Sequence, residues 1–154
     1  MAQVAASNAS YMGREAAVSS FVNGAMSLAF FGFVFGWNEL VPVRGVGNYA
    51  FDYLIQSFAV TFFSCFFPTL LLGKAVRAGK VVARKTPPTL LANLTASILK
   101  GVAAAILLGA PLALVLDFAG MEVMKLYPAL GAKITYGAVL GWFMTRISLS
   151  KLLD

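Results

Sequence analysis

The chain has 154 residues, 60% of them hydrophobic and 12% charged, with a mean hydropathy of +0.83 and a net charge of +6. A soluble domain carries about 25% charged residues, so a water-facing surface of this size is excluded and lipid is the matching solvent. The length suits a single membrane domain, residues 1–154, and the bases sit beside apolar spans rather than forming a nucleic-acid patch.

Residues 1–12 are mostly small and polar and read as a flexible N-terminus, in which Ser7, Asn8 or Ser10 can cap a helix entering the first span. That span covers residues 18–37 without a charge. No small-residue cleavage site follows it, so it reads as a span and not as a signal peptide. The stretch from Val41 to Asn48 carries Pro42, Gly45 and Gly47 and predicts a short irregular cap. The second span covers 51–72, with Asp52 at its start. A basic cytoplasmic loop, 73–97, follows. The second helix can extend through it as far as Arg84, and Thr86 is the expected cap of the next helix, with Pro87 and Pro88 in its first turn. The third span covers 98–118. The fourth, 126–143, is interrupted by Lys133, about 10 Å along the helix from Leu126. Lysine can snorkel to an interface, so this segment is expected to span, with a re-entrant course as the alternative. The runs are continuously apolar, unlike the alternating strands of a barrel. The fold class is therefore all-α: a polytopic membrane protein with four transmembrane helices in two hairpins.

Nine bases fall on the side of the central loop: Arg14, Lys74, Arg77, Lys80, Arg84, Lys85, Lys100, Arg146 and Lys151. Three fall on the other: Arg44, Lys125 and Lys133. Basic residues stay in the cytoplasm, so both termini are expected inside. Trp37, Tyr49, Tyr53 and Tyr127 then fall at the outer headgroup level, and Trp142 marks the inner end of the fourth span.

Small residues form stripes at helical spacing: Ala25, Ala29, Gly32 and Gly36; Gly101, Ala105, Gly109 and Ala113; Gly137 and Gly141. Such stripes let helix backbones approach closely, and helix packing is their expected role. The first and third spans each hold two glycines eight residues apart, Gly24 with Gly32 and Gly101 with Gly109, a faint parallel between the halves. The second span differs. Ser57, Thr61, Ser64 and Pro68 repeat along one face, and Pro68 removes a hydrogen bond to the Ser64 carbonyl and predicts a kink. This polar face is expected either to pack on neighbours or to line a pore. Asn23 is placed for an interhelical hydrogen bond. Asp117 and Lys133 fall near the outer face of adjacent spans and are expected to pair, which would ease burial of the lysine.

There is no histidine, which excludes histidine-ligated metal or haem and histidine acid–base chemistry. Cys65, the one cysteine, allows no intrachain disulfide and reads as a small buried hydrophobe. No phosphate-binding glycine loop, nucleophile elbow or catalytic carboxylate pair stands in the sequence, so no catalytic residue, metal site or cofactor is expected. The expected partners are the bilayer, with anionic lipids drawn to Lys74, Arg77, Lys80, Arg84 and Lys85, and another membrane protein or a second copy of the chain.

The stretch Phe58 to Arg77, FAVTFFSCFFPTLLLGKAVR, resembles the second helix of a family of short two-helix bacterial inner-membrane proteins of unknown function; Phe67-Pro68 and Val76-Arg77 carry the likeness. The resemblance covers the first hairpin, about half the chain, and implies a bacterial inner-membrane location. The second half departs from it, and the family lends no activity. The sequence thus predicts a small non-enzymatic protein that works by helix packing, as an accessory subunit or a homo-oligomer, with a small oligomeric transporter or channel lined by the second helix as the alternative.

Overall fold

The computed structural model describes residues 2–153. Four long helices and two three-residue strands follow one another: α1 (Ala2–Phe35), β1 (Leu40–Pro42), α2 (Tyr49–Arg77), α3 (Leu90–Phe118), β2 (Val123–Lys125) and α4 (Leu126–Leu153). α1, α2 and α3 are each long and apolar enough to cross a bilayer, which marks this as a membrane protein. α4 is 28 residues long but less apolar, for a reason its packing supplies: it lies against both α1 and α2. A helix surrounded by protein can carry the polar side chains that a lipid-facing helix cannot. α3 packs chiefly against α2 and stands at the edge of the bundle.

One end of the bundle is closed by the two strands, which pair antiparallel with Val41 opposite Met124. Val41 and Val43 are buried there, and Val41 packs with Phe31, Tyr49, Tyr53 and Ala129. Residues 40–42 thus form a short ribbon with β2, while residues 43–48 keep the irregular turn that the Pro and Gly content predicts. Backbone bonds from Val43 to the Glu122 carbonyl and from Leu126 to the Glu39 carbonyl extend the pairing beyond the strands. At the other end Leu72, Val81, Leu149 and Leu153 close a second cluster, with Tyr11 and Met12 of α1 against it.

Three local expectations are corrected. α1 begins at Ala2, so the stretch read as flexible is helical from residue 2. Its anchor is Asn8, whose amide donates to the carbonyls of Val82 at 2.9 Å and Leu153 at 3.4 Å. α2 ends at Arg77, and Gly79, at φ +68°, turns the chain away before Arg84 is reached. Thr86 caps nothing: Pro87 and Pro88 hold the chain extended, and Thr89 is the N-cap, its hydroxyl accepting from the Ala92 amide at 3.3 Å.

α3 contains one turn of π-helix, Ala105–Gly109, just before Pro111. The proline has no N–H for the Leu107 carbonyl, and the ladder shifts so that the Ala110 amide bonds the Ala105 carbonyl. The shift has a packing consequence. In a plain α-helix, residues eight apart stand about 80° apart around the axis. The bulge absorbs about one residue, and both Gly101 and Gly109 then face α2. A Cβ on Gly101 would lie 2.9 Å from the Phe58 ring, and one on Gly109 would lie 2.7 Å from the Tyr53 carbonyl oxygen. α1 has no such bulge. Its Gly24 faces Ile134 and Ala138 of α4, whereas Gly32 faces the Trp37 ring. The two glycine pairs, alike in sequence, serve different contacts.

Candidate functional site

The polar side chains of three helices meet on one seam. On α4, Ala129, Lys133, Gly137, Gly141, Thr145 and Ser148 are buried at intervals of three or four residues and form a continuous stripe. On α1 the buried residues include Ala16, Ser19, Asn23, Gly24, Ser27 and Phe31. On α2 it includes Tyr53, Gln56, Ser57, Thr61, Ser64 and Pro68. The small-residue stripe expected on α1 is not the face that α1 turns to its neighbours within the chain. Ala25 and Ala29 face outward, Gly36 lies past the helix end at φ +68°, and Gly32 meets only Trp37. The face with hydrogen-bonding side chains turned inward instead, because in lipid a polar group gains most from a protein partner. On α4 the expected small residues are the contact points. A Cβ on Gly141 would fall 2.7 Å from Asn23 Nδ2, and one on Gly137 would overlap Ser27 Oγ. Ala105 and Ala113 of α3 are half-buried.

The half of the seam farther from the strands centres on Ser64. Ser19 Oγ donates to Ser64 Oγ at 3.1 Å, and Asn23 Nδ2 reaches Ser64 Oγ at 3.0 Å and the Ser19 carbonyl at 2.8 Å. Pro68 leaves the Ser64 carbonyl without its helical donor. Thr145 Oγ1, on α4, donates to that carbonyl at 3.1 Å. The backbone gap opened by the proline is thus filled from a neighbouring helix. Farther still from the strands, Thr69 and Ser148 hydroxyls lie 3.1 Å apart, and Lys100 Nζ donates to Ser148 Oγ at 3.3 Å. Thr145→Val should cost about 1–2 kcal/mol, the usual figure for a buried carbonyl left unpaired. In a Pro68→Ala background, where the helical N–H is restored, the same change should cost less. Reversible unfolding in mixed micelles of the four proteins of this cycle measures that coupling.

The half nearer the strands centres on Lys133. Its ammonium bonds Asp52 Oδ2 at 2.8 Å and sits 3.6 Å from the centroid of the Tyr53 ring and 4.8 Å from that of Tyr49. Lysine and aspartate side chains are 2% and 23% exposed respectively. The expected partner, Asp117, pairs instead with Arg44 at 3.0 Å, on the surface. Lys133 and Asp52 lie on facing helices, α4 and α2, whereas Asp117 lies at the end of α3, which packs chiefly on α2. Tyrosine faces carry negative quadrupole density, so the cation is held by one carboxylate and two rings. Tyr49 and Tyr53 hydroxyls lie 3.0 Å apart, and Tyr49 donates to the Ala129 carbonyl at 2.9 Å. Gln56 Nε2 donates to the Lys133 carbonyl at 2.9 Å and to Ser27 Oγ at 2.8 Å, tying α1, α2 and α4 at one point. Ser57 contacts the Tyr136 hydroxyl at 2.6 Å. Sequence reasoning missed Gln56, Tyr53 and Asp52 as partners of Lys133. The available signal was a charged residue and an amide four positions apart on the second helix.

Ser57, Thr61 and Ser64 are at most 1% exposed. They face neighbouring helices of the same chain. Cys65 is buried, as a small hydrophobe should be. Thr61 Oγ1 is buried without a hydrogen-bond partner. Thr61→Val exchanges that hydroxyl for a methyl of similar shape, so it should leave stability unchanged or raise it by about 1 kcal/mol. A midpoint shift in mixed-micelle unfolding reads the sign.

The chain matches no family model, and no curated protein or solved structure matches it.

Proposed function

We propose that this is a non-enzymatic integral membrane protein that acts by helix packing, as an accessory subunit of a larger membrane assembly or as a homo-oligomer. It crosses a bacterial inner membrane four times, with both termini in the cytoplasm. The single observation that carries the packing reading is the division of its surfaces. The hydrogen-bonding residues of α1, α2 and α4 are spent on one another, while α3 presents an apolar face in which Leu99, Leu107, Val115 and Phe118 are each more than 60% exposed. α3 rests chiefly on α2 and has much of its circumference free for lipid or for a helix of another protein.

Two arguments support the fourth crossing. α4 would extend about 42 Å at 1.5 Å per residue, enough for a bilayer of about 30 Å hydrocarbon thickness. Its one deeply placed charge is neutralised by Asp52. The placement of the termini rests on the nine bases of the central-loop side, and the bacterial inner membrane on the resemblance of the first hairpin. The alternative, an oligomeric transporter or channel lined by α2, calls for Ser57, Thr61, Ser64 and Pro68 to front a shared pore; within one chain Ser57 meets Tyr136 of α4, and Ser64 meets α1 and α4.

Purification from native membranes in a mild detergent tests the reading. A stoichiometric partner, or a defined oligomer by mass, is the expected result. A monodisperse monomer with no partner contradicts it.

A further inference from the structure

The backbones of α1 and α2 stand apart, because each packs chiefly on another helix, and side-chain hydrogen bonds at Ser64 and Gln56 join them on the buried side. Between them runs an open furrow with successive cavities. At the inner end, where α1 begins and α2 ends, lies a cavity of about 640 Å³ that includes Ser7, Ser10, Tyr11, Arg14, Lys74 and Lys80 in its lining. It shares Glu15 and Leu71 with the next, a groove of about 420 Å³ walled by Val18, Val22, Met26, Phe63 and Phe67.

The chemistry changes along the furrow. The inner cavity holds three bases and one acid. Arg14 is partly committed to Glu15, at 3.0 Å, and Lys74 and Lys80 form no ion pair among the described residues. The groove is apolar, and its walls are 42–53% exposed. From Glu15 to Met26 it follows α1 for about 16 Å, roughly the depth of one leaflet of a 30 Å hydrocarbon layer. A soluble anion needs only the first part, and a hydrocarbon tail only the second. The ligand that uses both, in this order and at this depth, has a phosphate and an acyl chain.

We propose that this furrow binds one anionic phospholipid of the inner leaflet, its phosphate held by Lys74, Lys80 and Arg14 and one acyl chain lying in the groove between α1 and α2. This is a discrete site, distinct from the general attraction of a basic loop for an anionic surface. It rests on the reading that α1 and α2 span the bilayer, which side-specific labelling tests independently.

Native mass spectrometry of the full chain, released from detergent with an equimolar mixture of phosphatidylglycerol and phosphatidylcholine of equal chain length, reads the site. The parent should retain phosphatidylglycerol preferentially. Lys74→Gln with Lys80→Gln should lower that preference about 30-fold, the figure for two bases near the surface. Arg77→Gln with Lys85→Gln removes the same charge outside the cavity and should leave the preference intact. Val22→Trp fills the groove from its lipid-facing side and should reduce retention of the lipid while the melting temperature holds. Equal retention of both lipids by the parent would overturn the proposal. So would equal loss in the two double variants, or displacement of the lipid by millimolar inorganic phosphate, which would mark a site for the free anion.

Discussion

Asp52→Asn is expected to destabilise the protein by about 3–5 kcal/mol, the range for removing one partner of a buried ion pair. The reason is the asymmetry of the pair. The Lys133 side chain is 2% exposed and that of Asp52 is 23% exposed. With asparagine the ammonium keeps a neutral amide acceptor and the faces of Tyr53 and Tyr49, the rings worth about 2 kcal/mol when desolvated, but loses the countercharge that offset a desolvation penalty of several. Lys133→Met should cost less, because the stranded Asp52 can still reach headgroup water. The double variant Asp52→Asn with Lys133→Met should recover most of the loss, since a buried pair replaced by matched uncharged groups is often neutral. Reversible unfolding in mixed micelles measures all three. Additive losses would mean that the two charges act independently and that the pair does not hold α4 to α2.

Gly137→Val should be the most damaging substitution on α4. Its Cβ would overlap Ser27 Oγ and lie 3.1 Å from the Asn23 carbonyl, so α1 and α4 would have to separate. Overpacking of this kind costs about 1–3 kcal/mol. The separation also breaks the bonds from Gln56 Nε2 to Ser27 and to the Lys133 carbonyl, each bridging two helices. Gly137→Ala should show the smaller overpacking cost alone, partly relieved by Ser27→Ala, which removes the colliding oxygen. Gly131→Ala is the control: its Cβ would meet nothing within 4 Å, so alanine there should stabilise by about 0.5–1 kcal/mol through helix propensity. Equal effects at positions 131 and 137 would show that propensity and not contact governs them.

The helices were legible in the sequence because lipid imposes a long, unbroken apolar run, and few residues interrupt it. Their faces were legible only in part. Gly101 and Gly109 face a neighbour because Pro111 winds α3 into a π-turn between them, a local change that spacing does not reveal. On α1, alanines and glycines at helical spacing invited a packing reading, yet Ser19, Asn23 and Ser27 took the inner face. In a membrane the strongest claim on a protein neighbour comes from a hydrogen-bonding group, and small size alone is satisfied equally well by lipid. The pairing of Lys133 escaped sequence reasoning for a topological reason. Proximity along the chain favours α3 as the neighbour of α4, whereas α4 inserts between α1 and α2. Pro68 is the clearest case in which the sequence announced the need and the fold supplied the answer, with Thr145 bonding the carbonyl the proline leaves open.

Side-specific labelling of sealed, right-side-out vesicles tests the account most directly. With Cys65 replaced by serine, single cysteines at Val46, Lys80 and Lys151 report the two ends of the bundle and the far end of α4. A membrane-impermeant maleimide should modify the cysteine at position 46 in intact vesicles, and those at 80 and 151 only after permeabilisation. Labelling of position 80 from outside in intact vesicles would invert the topology, and labelling of position 151 alone from outside would show that α4 does not cross.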